Sequence, residues 1–199
     1  MLKTPCFPFI QAEPPMFIQT EQTPNPATLK FLPGCTVMET GTANFPERGA
    51  AARSPLAEHL FELPEVSGVF LGTDFITVTK NGDSEWHQLK PAVLAAIMEH
   101  FTAGRPVVIG GPSEVSAGDA SDDDDEIVSQ IKELLETRVR PAVAMDGGDI
   151  TFEDFADGVV YLHMQGSCSG CPSSTATLKA GIENMLRHYI PEVVEVRAV

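Results

Sequence analysis

Residues 104–125 read GRPVVIGGPSEVSAGDASDDDD, and this stretch divides whatever the chain folds into. After Ile109 it holds almost no large apolar side chain, so it cannot bury enough surface to offset the entropy of ordering it. We read it as a flexible acidic linker. The four consecutive aspartates Asp122 to Asp125 are expected to be solvated and mutually repelling, with a favourable place ahead of a helix N-terminus. A calcium loop would need a glycine and alternating ligands, which this run lacks. In a chain of 199 residues the linker leaves two pieces of small-domain size, 16–103 and 126–199, with residues 1–15 as an extra N-terminal segment.

The net charge is −15, and each of the stretches 1–103, 104–125 and 126–199 carries −5, so the acid is densest in the shortest piece. Nucleic acid and anionic membrane both need a dense basic surface, and neither is expected as a partner. No apolar run approaches the roughly 20 residues that span a bilayer. The opening MLKTPCFPFIQAEPP has one lysine, no arginine and interrupting prolines, and reads as neither an export signal nor a good transit peptide. Four cysteines are too few for a disulfide framework in a chain of this length. A reducing, cytoplasmic compartment is the expectation.

In the first piece two apolar runs, Phe17 to Thr20 and Thr28 to Leu32, flank Thr23-Pro24-Asn25-Pro26, which predicts a hairpin. Ser54 caps and Pro55 opens a helix with Leu56, Leu60 and Leu63 on one face. Two β-rich stretches surround Gly72-Thr73-Asp74, and Leu94, Ile97, Met98 and Phe101 recur at helical spacing, with Trp86 also expected in the core. The order is ββ(β)αββα. In the second piece Ile127, Ile131, Leu134, Leu135 and Val139 predict a helix with Asp125 as a cap, ended by Pro141. A hairpin turning at Asp157-Gly158, a helix striped by Leu178, Ile182, Met185, Leu186 and Tyr189, and a closing strand in VVEVRAV follow. That order is αββαβ, so the fold class is α+β with two small domains.

Between the second strand and the second helix of that piece lies QGSCSGCPSS, with Cys168 and Cys171 spaced C-x-x-C and Pro172 opening the helix. Thiolates there would meet the positive end of the helix dipole and unpaired N–H groups, so both are expected to have lowered pKa values and good ligand character. Metal ligation, thiol–disulfide exchange and a purely structural pair compete. A thioredoxin-like fold needs a βαβ lead-in and more chain after the motif than is present. For a metal, two thiolates are half of a four-ligand set, the rest coming from His163, His188, Cys6, Cys35 or a second copy of the chain. A twofold dimer brings Cys168 and Cys171 against their own copies, giving a four-thiolate site suited to a [4Fe-4S] cluster or to zinc. Cys35 and His163 are expected to be structural, and Asp146-Gly147-Gly148-Asp149 to form a demanding turn beside the site.

RPAVAMDGGDITF, GSCSGCPSSTATLKAGIENML and IPEVVEV resemble the C-terminal domain of NifU-like (Nfu-type) iron–sulfur cluster carriers, and MFIQTEQTPNPATLKFLPG resembles the start of their N-terminal domain. The resemblance runs from Met16 to Val199. It implies that Cys168 and Cys171 bind a [4Fe-4S] cluster between two protomers, with zinc as the adventitious occupant, and that no catalytic residue is to be sought. It also implies an assembly carrier or scaffold and not an enzyme, which is a homodimer when loaded. Its partners would be apo iron–sulfur acceptor proteins and an upstream cluster scaffold. Met16 would serve as an initiator, removing Cys6, and without the Arg/Ser-rich presequence of mitochondrial members a bacterial cytoplasmic protein is expected.

Overall fold

The two prolines of the first turn do what their fixed φ suggests. Strand β1 (Gln19–Gln22) and β2 (Thr28–Leu32) pair antiparallel across it, and Asn25 closes the turn by accepting the Ala27 N–H at 3.0 Å. The computed structural model describes residues 17–82, 84–109, 124–169 and 172–199, with the backbone alone at 124–125 and 172–174. The expected linker, the Asp125 cap, Cys6 and Cys171 fall largely or wholly outside the described residues.

Strands β3 (Ala43–Phe45), β4 (Val66–Leu71) and β5 (Ile76–Lys80) complete a five-stranded antiparallel sheet of order β1-β2-β5-β4-β3. Helix α1 (Pro55–Leu60) starts where Ser54 accepts the Ala57 N–H at 3.1 Å, as its sequence predicts. It packs with α2 (Trp86–Thr102) on one face of the sheet, over a core that includes Phe31, Phe45, Leu56, Leu60, Ile76 and Ile97. The buried stripe of α2 is Leu89, Val93, Ala96, Ile97 and His100, while Met98 is exposed and Leu94, Trp86 and Phe101 pack only at the margin. The stripe is rotated because His100, a residue that periodicity scores as polar, occupies a core position.

His100 has no solvent exposure, and both its ring nitrogens are buried without a well-formed hydrogen bond. Burial is the main cause that lowers its pKa from 6.5, and the charges of Arg105 and His59 push the same way. In the folded state it therefore holds a proton less well than in the unfolded chain. Unfolding then takes up a proton below about pH 6.5, so stability is kept above that pH and lost as pH falls through it. In thermal unfolding from pH 7.5 to 5, His100→Leu is expected to lose less stability on acidification than the wild type. Parallel acid limbs would show that His100 does not titrate in this way.

The second sheet has the order β6-β7-β8, with β6 (Gly148–Ala156) antiparallel to β7 (Val159–Gly166), and β7 parallel to β8 (Glu195–Ala198). The hairpin turns where Asp157 and Gly158 both adopt positive φ, 51° and 77°. Helix α5 (Pro172–Tyr189) crosses from β7 to β8. Tyr189, expected on its core stripe, is exposed, with the Arg138 guanidinium 5.0 Å from its ring centroid.

Pro141 does not end the preceding helix. Helix α3 (Asp124–Leu134) continues through one wide π turn (Leu135–Val139) into α4 (Arg140–Met145). In the wide turn the Arg140 N–H reaches Leu135 O, so Pro141, with no N–H to donate, enters at the first turn of α4 where none is needed. Ile131, Leu135, Val139 and Val143 thereby all face the second core, with Ile150, Leu162 and Leu186. The architecture is α+β in two parts, ββ(β)αββα and then αββαβ, with β3 as the bracketed strand. Among the described residues no helix is long and apolar enough to cross a membrane.

Candidate metal centre

Cys168 follows the end of β7, in the loop that leads to α5. The loop is stitched to the turn ahead of β6. Ser167 N–H donates to Gly147 O at 3.2 Å and Ser167 Oγ to Asp146 O at 2.6 Å. Thr175 Oγ1 donates to Cys168 O at 2.9 Å, tying the loop to the first turn of α5. Gly166 and Gly147 make these turns at φ 64° and 82°.

Gly148 faces Gly166 in the ladder and leaves the space that Cys168 uses. A Cβ at residue 148 would lie 2.6 Å from Cys168 Sγ and 2.7 Å from Gln165 O. The thiol is thus seated on a bare stretch of backbone, and Cys168 is only 5% exposed. Burial pushes its pKa up to about 11, the nearby Asp146 and Asp149 add to the rise, and the Ser167 hydrogen bond opposes it. The expected lowering is thus reversed for Cys168, because desolvation outweighs the helix end. A thiol held protonated in this way is a poor attacking group for disulfide exchange and must shed its proton to act as a ligand. As a sulfur donor it suits iron or zinc.

The Asp146–Asp149 segment is the demanding turn that the sequence suggests, and it carries an ion pair that the sequence did not reveal. Asp149 is 3% exposed and takes a two-pronged bond from Arg140, Nε to Oδ1 and Nη2 to Oδ2, each 2.8 Å. These bonds hold the Arg140 guanidinium well above its ordinary pKa. Asp149 Oδ1 also accepts the Ile150 N–H at 2.8 Å, which anchors the start of β6. Arg140 is placed for this by the π turn and α4, which no periodicity argument contains.

Among the described residues the other candidate donors are not gathered here. Cys35, on the loop after β2, is half-buried, and burial raises its pKa. His163 faces away from the core on β7, with Nδ1 3.1 Å from Val199 O, in keeping with a structural role. His188 is exposed beside Tyr189, their rings 5.0 Å apart. Among the described residues no group of three or more His, Cys, Asp or Glu side chains is placed to hold a metal.

These features define an α+β protein in two parts with a buried thiol on a strand-to-helix loop. Residues 18–104 match the family model described as scaffold protein Nfu/NifU N terminal, and residues 131–197 match that of the NifU-like domain. The chain is 55% identical over 186 residues to human "NFU1 iron-sulfur cluster scaffold homolog, mitochondrial", a match covering 92% of this chain and 72% of that protein. It is 52% identical over 181 residues to "NifU-like protein 4, mitochondrial" of Arabidopsis thaliana, covering 89% of this chain and 64% of that one. It is 51% identical over 197 residues to the NFU1 homolog of Drosophila willistoni, covering 98% of this chain and 68% of that one. The chain belongs to the Nfu/NifU family of iron–sulfur cluster scaffold proteins.

All three relatives carry the word mitochondrial in their names and come from human, plant and fly. They point to a mitochondrial protein and overturn the expectation of a bacterial cytoplasmic one. That expectation leaned on the composition of the first 15 residues, which is weak evidence beside the names of relatives that are more than half identical.

Proposed function

We propose that this chain carries an iron–sulfur cluster as cargo and delivers it to apo iron–sulfur proteins. The cluster is a [4Fe-4S] unit held by Cys168 and Cys171 together with the same pair from a second copy. The observation that carries this reading is the place of Cys168, a sulfur donor on the strand-to-helix loop within the stretch that matches the NifU-like domain. The names of the human and fly relatives, which call them iron-sulfur cluster scaffold homologs, support it. One copy offers two thiolates from the motif, and a twofold contact doubles them to the four that such a cluster takes. In this reading 16–103 and 126–199 are two modules joined by the acidic stretch 104–125, and the chain catalyses no turnover of its own.

Delivery by direct contact has a kinetic signature. Acceptor thiolates would replace Cys168 and Cys171 one pair at a time, and loss of the second pair separates the copies. Loaded dimer mixed with an apo acceptor is expected to lose its cluster faster than the same dimer mixed with a chelator. Equal rates would mean that the cluster first dissociates into solution, and direct transfer would be abandoned.

A further inference from the structure

An antiparallel sheet with helices on one face ordinarily shows the other to water. The five-stranded sheet does not. Its register aligns Lys30, Thr77 and Phe70 in one cross-strand row, on the face opposite the helices. Lys30 is 7%, Thr77 1% and Phe70 1% exposed. Phe75 and Glu21 of the same part cover Lys30 and Phe70 in part, and the rest of the cover is the pair of loops around Cys168.

The covering contacts are directional. Lys30 Nζ donates to Met145 O at 2.9 Å, Thr77 Oγ1 to Gly147 O at 2.7 Å, and Asn25 Nδ2 to Ser169 O at 3.1 Å. Thr42 Oγ1 donates to Asp149 Oδ2 at 2.8 Å. The surfaces also meet where glycine leaves room: a Cβ on Gly147 would lie 2.8 Å from Thr77 Oγ1, and one on Gly166 3.0 Å from the Phe70 ring. Four donors on the first sheet or its loops thus satisfy backbone and carboxylate oxygens of the second part that would otherwise need water.

We propose that this sheet face is an intramolecular docking surface for the Cys168 loop, and that a second copy of the chain must displace it to share a cluster. Ser169, the residue after Cys168, is held by Asn25. A cluster shared between two copies needs the partner's cysteine pair against that same loop, so one surface excludes the other. The displacement rests on the cluster reading above; the docking does not. The undocked chain exposes Lys30 and Thr77, and the docked chain keeps the loop from unloaded contact with other proteins.

Lys30 reports the docking directly, since its side chain is 9% exposed when docked and lies on an open face when not. In the metal-free full-length chain, pulse acetylation read by mass spectrometry is expected to label Lys30 about tenfold more slowly than the exposed Lys132. Thr77→Arg, which sets a bulky cation against Gly147, should bring Lys30 to within about twofold of Lys132 with an unchanged circular dichroism spectrum. Thr77→Val, which removes only the hydroxyl, should fall between the two. Reconstitution with iron and sulfide should release Lys30 as the arginine substitution does. Labelling of Lys30 at the Lys132 rate in the metal-free wild type, or no change in either folded variant, overturns the docking surface. Protection that persists in an iron-loaded dimer overturns the displacement. Iron is measured in the same samples: a chain that takes none refutes the cluster reading and the displacement with it, while the metal-free labelling still decides the docking.

Discussion

Replacing Cys168 by serine should leave the chain unable to hold iron and sulfide, an all-or-none loss and not a weakening. If the cluster lies between two copies, one substitution in the sequence removes two of four ligands, and a serine hydroxyl is a poor substitute for the soft thiolate that an iron–sulfur cluster takes. Cys171→Ser should behave identically. Cys35→Ser supplies the contrast, because Cys35 lies on the loop after β2, apart from the second core to which Cys168 belongs. Its iron and sulfide should match the wild type after anaerobic reconstitution. Cys168→Ser retaining both at the wild-type ratio would remove Cys168 from the ligand set.

The second large effect is at Gly148. Alanine there would place its Cβ against Cys168 Sγ and Gln165 O, and the second of these is backbone, which can move only by opening the β6–β7 ladder. Overpacking of this kind costs about 3 kcal/mol. For a unit of this size that is a drop in unfolding temperature of roughly 12 °C or more. The thiol would be pushed from its seat as well, so cluster yield should fall even below the unfolding temperature. Gly181→Ala, within α5, is the opposite case: nothing lies within 4 Å of the new Cβ. It should gain up to about 1 kcal/mol from helix propensity alone. Calorimetry of the two variants beside the wild type checks both signs, and equal unfolding temperatures for Gly148→Ala and the wild type would refute the packing argument.

The element order could be read from the sequence because punctuation and period agreed. Pro24 and Pro26 between two apolar runs, Ser54-Pro55 ahead of a leucine stripe, and Asp157-Gly158 between alternating strands each fix local conformation without help from distant residues. The errors came where a distant contact decided the outcome. Pro141 reads as a stop unless the wide turn that accommodates it is known. The stripe Leu94, Ile97, Met98 and Phe101 misses the buried face of α2, because hydrophobic periodicity does not count His100 toward a core.

The cysteine motif marked the loop, yet the protonation of Cys168 depends on Gly148 letting the sulfur sink into the second core. The Arg140–Asp149 pair and the row Lys30, Thr77, Phe70 join residues from different elements, and neither leaves a periodic trace. The compartment was misjudged because composition near a chain start is weak evidence beside relatives that are more than half identical.

Iron, acid-labile sulfide and zinc per chain, measured together with native mass on the anaerobically reconstituted protein, test the shared-cluster reading most directly. A [4Fe-4S] cluster between two copies requires about two iron and two sulfide per chain, negligible zinc, and a mass of two chains that reverts when the cluster is removed or Cys168 is lost. One zinc per two chains without sulfide, or a full complement of iron and sulfide on a single chain, would contradict it.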